Sequence, residues 1–367
     1  MQLSKLTLSN FKNYKDVSLK FIHKINCFVG NNGAGKTNIL DAIHYLSFCK
    51  SYFSSSDTQN IRHEEDYFAI HGDFIRNQNL TDTISCVQKR NHKKQFKINQ
   101  KEYPRLADHI GNFPLVMISP YDRDIINNGS EDRRKFFDMA ISQFDKIYLD
   151  DIINYNKILI QRNALLKSLS NSNSNPETSL EIWNEQMAAI GHRIYEKRKD
   201  FLFRFIPVFC QYFEIISGSK EKVSISYESH FAEGDFLQKL HNNMRKELIL
   251  QYSTLGSHKD DMHFLIDGYA VKKYGSQGQQ KTFAVALKLA QFEMTKNLKG
   301  YKPILLLDDV FDKLDNIRVQ QIIKLISEDF FGQVFITDTQ KDRILQAFSE
   351  THDGFQIFEV IDGTINN

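Results

Sequence analysis

The chain has 367 residues and a mass of 42.8 kDa, a length that predicts two or three packed units. Hydrophobic residues make up 41% and charged residues 25%, with 29 Phe and 15 Tyr, which is enough apolar side chain to exclude disorder over most of the chain. The net charge of +2 is too mild to announce a nucleic acid by itself. No apolar run approaches the ~20 residues of a membrane helix, and the N-terminus lacks the apolar stretch of a secretory leader. Cys27, Cys49, Cys86 and Cys210 are scattered without a Cys-x-x-Cys pair, so buried thiols in a reducing cytosol are expected rather than zinc or disulfides.

Leu3, Leu6 and Leu8 mark a first strand, and Ile25–Val29 a second that stops at Gly30. A helical pattern through Ile39, Leu40, Ile43 and Leu46 follows the glycine-rich segment. Phe68 to Asn99 predicts strands and a hairpin carrying Lys89, Arg90, Lys93, Lys94 and Lys97, and Phe113–Ile118 predicts a buried strand ending at Ser119-Pro120. The middle changes character. Phe137, Ile141, Phe144, Tyr148, Ile152, Tyr155, Leu159 and Leu166 recur at spacings of mostly three and four. A Ser/Asn-rich break at 168–179 follows, and Trp183, Met187, Ile190, Ile194, Phe201, Phe205 and Val208 resume the stripe, which predicts an antiparallel helical hairpin. Buried strands are expected again at Ile304–Leu307 and Val334–Ile336.

Gly30-Asn31-Asn32-Gly33-Ala34-Gly35-Lys36-Thr37 fits G-x-x-x-x-G-K-[ST] between a strand and a helix. Glycines let backbone N–H groups turn toward phosphate oxygens, and the helix N-terminus adds partial positive charge. Lys36 would reach the β- and γ-phosphates and Thr37 would ligate Mg²⁺. The apolar strand Ile304–Leu307 ends in Asp308-Asp309. In a nucleotide site Asp308 would hold the magnesium, and Asp309 would orient and deprotonate the attacking water. Tyr274-Gly275-Ser276-Gln277-Gly278-Gln279-Gln280-Lys281 opens a further helix. It resembles the signature sequence of ATP-binding-cassette (ABC) ATPases, a second anion-seeking helix start that in those proteins completes the phosphate site of another subunit.

Over its whole length the chain resembles the RecF family of bacterial DNA replication and repair ATPases, within the ABC/SMC-like class. The residues that carry the resemblance are Leu8–Tyr14, Gly35–Ile43, the arginine-rich helix around Arg133-Arg134-Lys135, Gly256–Asp261 and Tyr274–Gln280. It implies an α/β fold, an ABC-type P-loop ATPase head with an inserted α-helical hairpin domain. The head would occupy 1–130 and 216–367 and the hairpin 131–215. It implies ATP and Mg²⁺ as cofactors, with Lys36 and Asp309 catalytic, and Ser276, Gly278 and Gln279 reaching nucleotide across a homodimer that Asp315 helps to couple. It further implies a weak, DNA-dependent ATPase in the cytoplasm, part of the SOS response. It would act on single- and double-stranded DNA at gaps and assist recombinase loading with RecO and RecR. A cassette ATPase of a nuclease or defence system is the alternative; the stretch after Asp338 is short for an appended nuclease domain.

Four departures from the family pattern stand out. Phe53 replaces an arginine, Tyr121-Asp122-Arg123 replaces Glu-Asp-Leu, Ser257 and Lys259 replace proline and arginine, and Asp338 occupies the place of the transporter cassettes' switch histidine. Lys89, Arg90, Lys93, Lys94, Arg133 and Arg134 are candidates for DNA backbone contact, although a solvated charged edge that guards a strand accounts equally for the hairpin lysines.

Overall fold

The computed structural model describes residues 1–76, 80–170, 175–218, 221–311, 316–327, 330–348 and 354–366. In chain order the elements are β1 (Gln2–Phe11), β2 (Tyr14–Lys20), β3 (Ile25–Val29), α1 (Lys36–Phe48), β4 (Tyr67–Ile75), β5 (Thr81–Lys89), β6 (Gln95–Ile98), β7 (Lys101–Glu102) and β8 (Leu115–Ile118). There follow α2 (Asp124–Asn127), α3 (Ser130–Ser142), α4 (Lys146–Leu169), α5 (Pro176–Ser217), β9 (Val223–Glu228), α6 (Phe236–Leu250), β10 (Asp261–Ile266), β11 (Tyr269–Ala270) and α7 (Val271–Tyr274). The last are α8 (Gln277–Lys299), β12 (Ile304–Asp308), α9 (Asn316–Ser327), β13 (Val334–Asp338), α10 (Lys341–Phe348), β14 (Phe355–Ile361) and β15 (Thr364–Asn366). Two compact units divide the chain: 1–122, 215–218 and 281–367 form one, and 123–214 with 219–280 the other. The signature segment thus belongs with the helices, where a partition at 130 and 215 would have put it in the head.

The first unit holds two six-stranded sheets, ordered β2-β1-β4-β5-β6-β7 and β15-β14-β3-β13-β12-β8. The first sheet is antiparallel throughout. Leu3, Leu6 and Leu8 all face its core although the first two lie an odd three positions apart, and the register shift between Leu3 and Lys5 supplies the extra residue. In the second sheet, β14, β3, β13, β12 and β8 run parallel. Every residue of β3, β12 and β13 is buried, the pattern of strands covered on both faces. Helix α1 contacts strands of both sheets, which explains why it is buried nearly all round. The Gln333 side chain stitches them further, accepting from Leu3 N–H (2.7 Å) and donating to Leu3 C=O (2.9 Å) as a paired strand would.

In the second unit α4 and α5 are antiparallel. Lys197 pairs with Asp145, Arg193 with Asp151, and Arg162 with Asn184, so one partner descends as the other rises. The helical hairpin is therefore present, but α5 already starts at Pro176, inside the expected 168–179 break; residues 171–174 lie outside the described segments. The buried seam of α4 is Tyr148, Asp151, Tyr155, Ile158, Arg162, Leu166 and Leu169. Ile152 and Leu159 only flank it. Charged residues occupy seam positions because they meet partners there. Arg162 and Glu247 are both fully buried and 2.7 Å apart, with Arg162 also donating to Asn184 (2.8 Å) and Ser253 (2.7 Å). Arg198 of α5 binds Asp138, Asp260 and the Ser257 carbonyl. Gly256–Asp261 is the hub of this network: Gly256 has φ +128°, and a Cβ there would lie 2.1 Å from the Tyr155 hydroxyl.

Removing one member of a buried pair strands the other charge. Arg162→Met should therefore lower stability by about 3–5 kcal/mol, while the double change Arg162→Met/Glu247→Leu recovers most of it. Urea unfolding of the two variants checks this; equal losses in both would show that the pair holds no buried charge in balance.

Candidate nucleotide-binding site

The phosphate loop lies between β3 and α1, at the carboxyl end of the parallel sheet, where ligands of open α/β sheets bind. Gly35 has φ +117°, and a Cβ on it would come within 2.4 Å of Asn13 Nδ2. Gly30 sits against the neighbouring strand, where a Cβ would lie 2.2 Å from Val360 C=O. Both positions require glycine. The β1–β2 turn holds the loop from one side. Asn13 donates to Ala34 C=O (3.0 Å) and accepts from Asn38 (2.7 Å), while the Tyr14 hydroxyl donates to Gly35 C=O (3.0 Å). Lys36 folds back, its Nζ donating to the carbonyls of Gly30 (2.8 Å) and Asn31 (3.0 Å). Phosphate oxygens offer the same ammonium stronger acceptors.

Thr37 Oγ1 donates to Asp308 Oδ1 (2.8 Å), and Thr337 Oγ1 donates to the same oxygen (2.9 Å) while accepting from Asp309 N–H (2.9 Å). Sheet register arranges this, because Asp308 lies opposite Thr337 across β12 and β13. Burial pushes the Asp308 carboxyl up to about 6, against the two hydroxyl donors. Asp309 follows with φ +45°, the backbone turning sharply at the strand end. A hydroxyl and a carboxylate at 2.8 Å, beside a phosphate loop, form a hard-oxygen donor set of the kind magnesium uses together with phosphate and water.

The structure brings Gly30, Asn31, Lys36, Thr37 and Asp308 together with Asp309 in one unit. Ser276, Gly278 and Gln279 belong to the other unit and form a second, self-contained feature. Ser276 N–H donates to Gln279 Oε1 (2.6 Å) and Gln279 N–H donates to Ser276 Oγ (3.2 Å), a reciprocal capping box at the start of α8. Gln279 Nε2 is tied to Glu221 (2.7 Å), so this amide is engaged at both ends. Asp315 lies outside the described residues. Sequence reasoning missed Thr337, whose only signal is its place at the end of the strand beside Asp308. It also gave no role to Asn13 and Tyr14.

At the switch position, Asp338 is buried and bidentate with Arg343 (2.6 and 2.9 Å). It also accepts from Gln340 N–H (2.7 Å) through its carboxylate, and from Gly30 N–H (3.3 Å) through its carbonyl. Phe53 has no charge to offer; its ring meets Tyr121 (centroids 5.6 Å apart), with Lys12 Nζ 5.5 Å from it. Four of the basic candidates are already engaged, Arg90 through its Nε, which donates to Glu65 C=O (3.1 Å) while the side chain stays exposed. Lys94 binds Asp57 (2.7 Å) and Cys49 C=O (2.6 Å), Arg133 is bidentate with Asp261 (2.7 and 2.9 Å), and Arg134 donates to Asp260 C=O (2.6 Å). Lys89, Arg90 and Lys93 are exposed.

The buried carboxyl has a consequence for pH dependence. The folded chain keeps the Asp308 proton up to about 6 against an ordinary 3.8, so stability falls as pH rises through that window and is level above it. Lowering pH from 7 to 5 should stabilise the wild type relative to Asp308→Asn by on the order of 1 kcal/mol. Urea unfolding at both pH values measures the difference; a pH-independent difference would remove the raised carboxyl.

The sequence model of the RecF/RecN/SMC N-terminal domain family matches residues 2–364. The chain is 49% identical over 360 residues to the DNA replication and repair protein RecF of Flavobacterium johnsoniae, covering 98% of this chain and all of that one. It is 47% identical over 366 residues to the protein of the same name from Phocaeicola vulgatus, covering 100% and 98%. Among solved structures, that of the recombination mediator protein RecF-ATP in the RecFOR pathway superposes with a TM-score of 0.88 at 31% identity, covering 100% of this chain and 98% of that one. The Smc head bound to the C-terminal winged-helix domain of ScpA matches with a TM-score of 0.58 at 15% identity, covering 100% and 96%, and shares the fold. With an ABC-type ATPase head and an inserted helical hairpin, the chain belongs to the family of the RecF/RecN/SMC N-terminal domain.

Proposed function

We propose that the chain is a slow, DNA-dependent ATPase of recombinational repair and replication restart, in which ATP joins two copies on DNA at single-strand gaps and hydrolysis releases them. The observation that carries it is the meeting of Thr37, Asp308 and Thr337 beside the Lys36 loop. Relatives named for DNA replication and repair, and the ATP-bound relative described in the RecFOR pathway, support the assignment to repair. On this reading RecO and RecR are partners in recombinase loading.

Thr37 and Asp308 would hold Mg²⁺, which neutralises phosphate charge when bound. Lys36 gives up its two carbonyls for phosphate oxygens. Asp309 orients the attacking water and takes its proton. Ser276 and Gly278 of a second copy complete the γ-phosphate site: with Ser276 Oγ accepting from Gln279 N–H, the hydroxyl hydrogen is left to donate outward. Two anion-seeking helix starts have little reason to associate until the γ-phosphate lies between them, and ADP lacks it.

Lys36→Ala should abolish nucleotide binding, whereas Asp309→Asn should bind ATP and fail to hydrolyse it. Sedimentation of the Asp309→Asn protein should show a dimer with ATP and a monomer with ADP, and Ser276→Arg in that background should stay monomeric while still binding ATP. A monomer throughout, or a dimer in both variants, would sink the shared-site mechanism.

DNA contact through Lys89, Arg90 and Lys93 predicts affinity that falls steeply with salt. Removing the charges of Lys89 and Lys93 together should weaken binding and flatten the dependence of log affinity on log salt by about 1–2. An unchanged slope would exclude these residues from DNA contact.

A further inference from the structure

We infer that Arg123 is a positioning residue for the signature turn, fixing the Gln280 side-chain amide that braces the backbone around Ser276; the inference rests on the proposed sharing of nucleotide between two copies. Gln280 lies one helical turn after Ser276 and is buried. Its backbone N–H donates to Ser276 C=O (2.9 Å), closing the first turn of α8. Its side-chain Nε2 donates backward to Gly275 C=O (3.2 Å) and Val271 C=O (3.4 Å), the two carbonyls that bracket the approach to the signature. Its Oε1 accepts from Arg123 Nη2 (3.2 Å).

A primary amide has nearly the same shape in its two orientations, so only its partners decide which way it points. In the observed orientation two carbonyls meet the NH₂ group and a guanidinium meets the oxygen. Turned over, the oxygen would face two carbonyl oxygens and the NH₂ group would face a cation. The guanidinium thus excludes the wrong orientation, and with it a turn held by repulsion instead of hydrogen bonds. The turn has no slack to absorb such an error. Gly275 N–H donates to Val271 C=O (3.0 Å), and a Cβ on Gly275 would stand 2.7 Å from that same oxygen. Gln279 and Glu221 fix the other side of Ser276 through the capping box. A leucine in place of Arg123 could not donate to the Gln280 oxygen, so the brace depends on the guanidinium.

The test uses the full-length Asp309→Asn protein, which holds ATP without turning it over. Arg123→Leu, Arg123→Lys, Gln280→Met and the double change Arg123→Leu/Gln280→Met are compared for ATP binding by the monomer, melting temperature, and the dissociation constant of the ATP-bound dimer. Arg123→Leu should weaken the dimer about tenfold, the worth of one charge-assisted hydrogen bond, with monomer ATP affinity unchanged. Arg123→Lys, which can still donate to Oε1, should recover most of the loss, and the double change should be no worse than Gln280→Met. Dimers of parental strength in Arg123→Leu would overturn the positioning role while leaving nucleotide sharing intact. A parental Asp309→Asn protein that never dimerises with ATP would remove both. Equal losses in Leu and Lys, accompanied by a lower melting temperature, would reduce Arg123 to a packing residue and overturn the inference.

Discussion

A buried carboxylate governs the organisation of the candidate nucleotide site. Asp308 is nearly inaccessible to solvent, and both hydroxyls that reach it, Thr37 and Thr337, donate to the same oxygen. Two neutral donors offset part of the desolvation but not all of it, so the carboxyl stays above its ordinary range. The fold therefore carries an unfavourable charge that a cation at this place would relieve. Part of the work of dehydrating the acid has been done by folding, before any ion arrives. The three groups come from the ends of β12 and β13 and the start of α1, so any slip in the parallel register would separate them. Continuous burial of β12 and β13 resists that slip from both faces.

The loop that faces this acid is held from outside the parallel sheet. Asn13 and Tyr14, at the β1–β2 turn, bind the carbonyls of Ala34 and Gly35. Lys12 beside them pairs with Asp41 (2.5 Å), one turn down α1 from Thr37. Asp41 in turn accepts from Ser51 Oγ (2.7 Å) and Tyr52 N–H (2.7 Å). The antiparallel sheet thus acts as a brace for the phosphate loop, and the Gln333 stitch to Leu3 keeps the two sheets from sliding past each other. A glycine-rich loop is flexible by composition, and preorganisation has to come from its neighbours.

What was legible in the sequence follows from what is local. The phosphate loop reads directly because its residues are contiguous and flanked by an unmistakable strand and helix. The Ile304–Asp308 strand reads because burial on both faces leaves an unbroken apolar run. The helical hairpin reads from its period, yet its seam is displaced at Ile152 and Leu159, because a count of apolar residues treats every charge as exposed. Asp151, Arg162 and Arg198 lie inside through partners 42, 85 and 62 residues away, at Arg193, Glu247 and Asp260. The same blindness made Lys94 and Arg133 look free for DNA. Their partners, Asp57 and Asp261, are remote in sequence, and charge alone cannot distinguish a pair from a surface.

Asp338 shows how a departure at one position constrains chemistry at another. A histidine at a sheet end beside the phosphate loop could donate a hydrogen bond to a γ-phosphate. The aspartate here instead accepts from Arg343 through both carboxylate oxygens, and from Gln340 N–H through one of them. Its carbonyl accepts from Gly30 N–H, which makes the residue an anchor for the first glycine of the loop. An ionised carboxylate has no proton to donate and would repel the phosphate if exposed to it, so pairing with Arg343 both satisfies the buried charge and shields it. On the proposed reading, γ-phosphate recognition then falls to groups that can donate. Lys36 supplies one from within the chain, and Ser276 with the α8 helix start supplies the others from a second copy. On the same reading, with no donor at position 338 to sense the phosphate from the same chain, discrimination between ATP and ADP would depend more heavily on the second copy's signature, and the orientation of that turn would be the element that sets the nucleotide response.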